Sequence, residues 1–96
     1  MKRNGSGVAL LADPTRRRIV ATLAMRPHRP SRLARALSLS RPAIARQLRL
    51  LEDAGLVDRH DVPGDGRGVL YTISPRRHGA ITAWLAGTDV GRPEGE

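Results

Sequence analysis

The stretch SLSRPAIARQLRLLEDAGLV, residues 38–57, constrains the fold more than any other part of the chain. Ser40 stands before Arg41-Pro42. Its hydroxyl can cap a helix, and the proline falls in the first turn, where a missing N–H costs no bond. Ile44, Leu48 and Leu51 then recur at the spacing of one helical face. Gly55 follows Ala54 and permits the left-handed residue that closes a helix. A helix is therefore expected over 40–53. With Ile44, Leu48 and Leu51 turned inward, Arg41, Pro42, Ala45, Arg46 and Arg49 fall on one adjoining, outward face, at about 100° per residue.

The flanking segments give that helix a context. Val8 to Ala12 is a short apolar helical turn, and Asp13-Pro14 is a helix start with Asp at the cap and Pro at the first position. A helix follows over 15–24, with Ile19, Leu23 and the Arg16 stem on one face. Prolines 27 and 30 break the chain. A third helix over 31–37 turns Leu33, Ala34 and Leu37 inward, and Ser38-Leu39 makes a tight turn into the helix over 40–53. Residues 56–62 and 69–73 read as two strands joined by a loop with three glycines. Ser74-Pro75 starts a last helix carrying Ala80, Ile81, Trp84 and Leu85. Helix, tight turn, helix, hairpin is the order of a winged helix-turn-helix. The expected class is mainly α with a small β-hairpin, in five helices. Residues 1–7 are expected to form a flexible arm, 8–87 a single DNA-binding and dimerisation domain, and 88–96 a disordered tail.

Charge points to the partner. Lys and Arg total 17 against 9 acidic residues, giving a net charge of +8. Such a surface attracts polyanions through counterion release. In a helix-turn-helix the second helix enters the major groove, with its N-terminal residues at base edges. Arg41 and Arg46 can reach guanine O6 and N7, and Pro42 and Ala45 keep the face slim enough to pack a thymine methyl. Ser40 and the helix N-terminus can hold a phosphate. Ser31, Arg32, Gln47 and Arg49 complete the contacts expected from the two helices. Arg59 on the first strand and Arg67 at the wing tip are expected to reach phosphate or the minor groove, within a wing over 59–70.

Other chemistry finds little support. There is no cysteine and so no disulfide, thiolate metal site or thiol nucleophile. No Ser, His and carboxylate fall into a catalytic pattern, and an enzyme is not expected. GDGRG does not open a helix after a strand, so it is not a nucleotide-binding loop. The longest apolar runs are too short to cross a membrane, and a cytoplasmic protein without cofactors is expected. Few aromatic residues argue against single-stranded RNA as the ligand.

The segments LADPTRRRIVATLA, LARALSLSRPAIARQLRLLEDAGLV and GRGVLYTISP resemble successive blocks of ArsR-type winged-helix transcriptional regulators, over residues 10–85. The resemblance implies a homodimeric repressor on an inverted-repeat operator of double-stranded DNA. It implies dimerisation through the first and last helices, around Val8, Leu10, Leu11, Ile81, Trp84 and Leu85, with Trp84 filling the dimer core. The family's best-known members release DNA on binding metal, through a cysteine pair on the helix equivalent to 31–37 or through His and carboxylate ligands on the last helix. This chain departs from both patterns. His28, His60 and His78 are scattered, and no metal site is expected. The alternatives to specific DNA binding are a winged helix whose basic face meets an acidic protein, and a non-specific nucleic-acid binder. No small-molecule effector can be named from the residues.

Overall fold

The computed structural model describes residues 7–63 and 68–90. A 3-10 helix at Val8–Ala12 is followed by α1 (Pro14–Met25), α2 (Pro30–Leu37), α3 (Arg41–Asp53), β1 (Val57–Val62), β2 (Gly68–Ile73) and α4 (His78–Val90). This is the expected winged helix-turn-helix, with four α-helices in place of five. The first element is closed by short-range bonds, Leu10 N–H to Gly7 O at 3.0 Å and Asp13 N–H to Leu10 O at 3.3 Å. Five residues ahead of a capped proline leave no room for a second α turn, and the tighter helix is the usual outcome in so short a piece. Residues 1–6 of the expected arm, 91–96 of the expected tail, and Arg67 lie outside the described residues.

The helix boundaries follow from side-chain chemistry. Asp13 accepts from the Arg16 N–H at 3.0 Å and starts α1. Ser40 Oγ accepts from the Ala43 N–H at 3.1 Å and starts α3. α2 ends on Ser38 in the left-handed region, φ 58°, ψ 45°. There the Leu39 N–H reaches back to Ala34 O at 2.9 Å. That bond turns the chain sharply into α3. α3 ends the same way: Gly55 has φ 80° and the Leu56 N–H donates to Leu51 O at 3.0 Å. No neighbour lies where a Cβ would sit on Gly55. Its backbone conformation, rather than close packing, is therefore what favours glycine there.

β1 and β2 pair antiparallel, from Val57 opposite Ile73 to Val62 opposite Gly68. A third, one-residue strand joins them. The His28 N–H donates to Tyr71 O at 3.1 Å and the Tyr71 N–H to His28 O at 2.8 Å. The α1–α2 connection, read from sequence only as a break, thus lies along the free edge of β2. α4 begins at His78, after a turn in which the Arg77 N–H bonds to Ser74 O at 2.9 Å. This delays the helix by three residues relative to the Ser74-Pro75 start. It then continues to Val90, past the boundary expected at Gly87.

One core joins all the layers. Leu11, Ile19, Val20 and Leu23 meet Leu33 and Leu37 of α2, Ile44, Leu48 and Leu51 of α3, Leu56 and Val57, and Ile81 of α4. Each such side chain contributes about 1.5–3 kcal/mol by leaving water. Ile44, Leu48 and Leu51 are 0 %, 1 % and 0 % exposed, so the orientation of α3 is locked by its inner face.

Candidate nucleic-acid interface

With the inner face of α3 sealed, Arg41, Pro42, Ala45, Arg46 and Arg49 are all solvent-exposed, as the helical spacing requires. Ser40 is exposed too. Its oxygen is engaged as a cap acceptor, and the hydroxyl proton remains able to meet an anion. Ser31 and Arg32 are exposed on the first turn of α2. Ser31 of α2 and Arg41 of α3 line one cleft, so the starts of both helices open toward the same side.

Two basic clefts run beside this face. One, of about 430 Å³, is lined by Arg26, His28, Arg29, Ser31, Arg32 and Leu70. The other, of about 220 Å³, is lined by Arg29, Ser31, Arg41 and Gly68 among others. Arg29 borders both, so positive charge continues from the α1–α2 connection, past the base of the wing, to the start of α3. Arg26 and Arg29 were not among the residues expected at the interface. The signal was present in RPHRPSR, where arginines alternate with helix-breaking prolines. The pairing of His28 with Tyr71 holds that loop beside the wing.

A third groove, of about 300 Å³, separates α3 from the wing, with Arg49, Glu52, Arg59 and Tyr71 on its walls. Tyr71 is 8 % exposed, and burial raises its phenol above the ordinary range. The Glu52 carboxylate raises it further by its charge and by accepting the phenol's hydrogen bond, while Arg59 and Arg49 act in the opposite sense. Arg59 also stands 3.8 Å from Asp61 across exposed surface. Such pairs contribute little energy. Asp61 nevertheless reduces the net charge that Arg59 offers along the wing.

Three expected placements change. Gln47 is half-buried, and its Oε1 accepts from the Arg16 guanidinium at 3.3 Å, so it points along α3 toward α1 instead of joining the arginine face. Leu11 and Ile81 are 0 % exposed within the single chain and belong to its own core. The interior needed both to close the gap between the 3-10 helix, α1 and α4. Val8, Leu10, Trp84 and Leu85 remain half-buried at the surface of that same region. Trp84 does not face bare solvent: the Arg17 guanidinium carbon lies 5.9 Å from its ring centroid.

Among the described residues no three His, Asp or Glu side chains gather as metal ligands would. His28 Nδ1 is 2.9 Å from Arg26 O, and His60 Nε2 is 2.9 Å from Thr72 Oγ1. No helix among the described residues is long and apolar enough to cross a membrane.

Known proteins share both the sequence and the fold. The family described as "Bacterial regulatory protein, arsR family" matches residues 13–59, from the α1 cap to the first wing strand. The HTH-type transcriptional regulator Rv2034 of Mycobacterium tuberculosis is 46 % identical over 65 residues, 68 % of this chain and 58 % of that protein. The chain thus spans little more than half the length of this curated relative. A solved structure described as a possible transcriptional regulator for arsenical resistance is 32 % identical, with a TM-score of 0.69, covering 88 % of this chain and 83 % of the other. A mutant of ZitR from Lactococcus lactis superimposes with a TM-score of 0.78 at 20 % identity, over 93 % of this chain and 60 % of that one, a likeness of fold. With the capped helix, its arginine face and the wing in the family's order, the chain belongs to the ArsR family of bacterial regulatory proteins.

Proposed function

We propose that the protein is a transcriptional regulator that binds double-stranded DNA as a homodimer and represses from an inverted-repeat operator. The observation that carries this reading is the two-sided α3. Its inner row is sealed in the core, while Arg41, Ala45, Arg46 and Arg49 are presented together on the outer side. A helix held this way can lie in the major groove without moving. Arg41 and Arg46 read guanine edges, Pro42 and Ala45 allow close approach, and Ser31, Arg32 and Ser40 hold phosphates. Arg26 and Arg29 extend the phosphate contacts. Arg59 and Arg67 serve the wing, and Arg49 the backbone at the far end of α3.

Dimerisation uses the half-buried Val8, Leu10, Trp84 and Leu85. A two-fold axis through that face sets two recognition helices about 34 Å apart, one turn of DNA. The test is a gel shift with DNA from upstream of the protein's own gene against a scrambled duplex. Retardation that the scrambled competitor does not abolish supports the reading. Equal affinity for every polyanion defeats it and favours a general basic surface.

A further inference from the structure

Arg16 ties two regions that the proposed function assigns to different tasks. Its Nε donates to Leu10 O at 2.8 Å, in the 3-10 helix that carries Val8 and Leu10. Its Nη1 donates to Gln47 Oε1 at 3.3 Å, on α3, one residue after Arg46. The Leu10 carbonyl also accepts the Asp13 N–H, so its hydrogen-bonding capacity is fully used. The same segment also runs close to the end of that helix. At Gly7 an added Cβ would lie 3.2 Å from Ala54 O and 3.3 Å from Ala54 Cβ, just past the end of α3. The segment ahead of α1 is therefore tied to the middle of α3 through Arg16 and lies close to the end of α3 at Gly7.

We infer that Arg16 is a positioning residue that, through Gln47, fixes the angle of α3 relative to the dimer face and so sets which half-site spacing the dimer reads. This rests on the dimeric reading above. The guanidinium is a flat, rigid fork whose two nitrogens hold the two acceptors at a set separation; an ammonium is a single point and cannot do the same. Gln47 acts on DNA through Arg16 rather than by touching a base. A shift of one base pair moves a half-site by about 3.4 Å along the axis, so a small change in helix angle alters the preferred spacing.

The experiment is a double-mutant cycle on the full chain with Arg16→Ala, Gln47→Ala and the pair, using Arg16→Lys as the second Arg16 variant. Circular dichroism checks folding, and Arg16→Lys carries the cycle if Arg16→Ala does not fold. Affinity is measured for the operator and for operators with the half-sites moved by one base pair either way. Gln47→Ala is expected to lower operator affinity about fivefold in the wild-type background and less than about twofold once Arg16 is replaced. Arg16→Lys is expected to flatten the preference among the three spacings, which a loss of stability alone would not do. Equal losses from Gln47→Ala in both backgrounds, or unchanged spacing preference, overturn the inference while leaving the regulator intact. Wild-type protein without specific binding to any of the three duplexes overturns the regulator reading itself.

Discussion

Arg46 and Ser38 show how much can depend on one position. Arg46 is exposed midway along the arginine face of α3, where a major-groove base edge is expected. A bidentate arginine–guanine pair discriminates by about 1–3 kcal/mol. Arg46→Ala is therefore expected to weaken operator binding about tenfold or more and random-duplex binding far less, as measured by titration at several salt concentrations. An equal loss on both would reduce α3 to a positive rod. Ser38 is the non-glycine residue with positive φ among those described, at the turn between α2 and α3. A side chain in that conformation costs about 1 kcal/mol relative to glycine. Ser38→Gly should raise stability by roughly 0.5–1 kcal/mol with DNA affinity unchanged, and Ser38→Val should lower it, both read from urea midpoints.

At the scale of elements, the wing is docked onto α3 through Tyr71. Its backbone joins the His28 strand, and its buried phenol donates to Glu52. The folded phenol is harder to ionise than the unfolded one. Its contribution is therefore complete below the ordinary tyrosine value of about 10 and is lost as pH rises through the raised folded value. Tyr71→Phe is expected to cost about 1 kcal/mol near neutral pH and to remove this part of the alkaline loss. The chain has a single tyrosine, so ultraviolet titration reads the group directly. A phenol that titrates at the ordinary value would show that the groove between α3 and the wing is open to water.

At the scale of the molecule, the proposed dimer rests on the half-buried apolar surface of the 3-10 helix and α4. A groove of about 320 Å³ lined by Pro14, Arg17, Arg18, Ala21 and Leu85 runs along it. Sedimentation at micromolar concentration is expected to give twice the monomer mass of 10.4 kDa. Leu85→Glu should shift the protein toward monomer and weaken the inverted repeat much more than a single half-site. A stable monomer that still holds the inverted repeat tightly would refute the arrangement. With no cysteine to supply thiolates, low micromolar zinc, nickel or arsenite is expected to leave operator affinity unchanged. A stoichiometric, chelator-reversible loss of binding would reveal a site involving His78.

The sequence alone determined the elements whose causes are local. Asp13, Ser40 and Gly55 act within a few residues of themselves, and the period of Ile44, Leu48 and Leu51 settled both the helix and its exposed arginines. The β1–β2 hairpin was legible for the same reason. Tertiary structure decided what depended on distant partners. His28 became a strand because Tyr71, far along the chain, offered its free edge, and this brought Arg26 and Arg29 to the clefts beside the arginine face. Leu11 and Ile81 look like any apolar residues of a first and last helix; only the meeting of the 3-10 helix, α1 and α4 assigned them to the interior. Gln47 shares the polar character of its exposed neighbours, and its bond to Arg16 spans 31 positions of sequence. Periodicity gives the direction of a side chain around its own helix. Which other segment waits in that direction is set by packing the whole chain around one core.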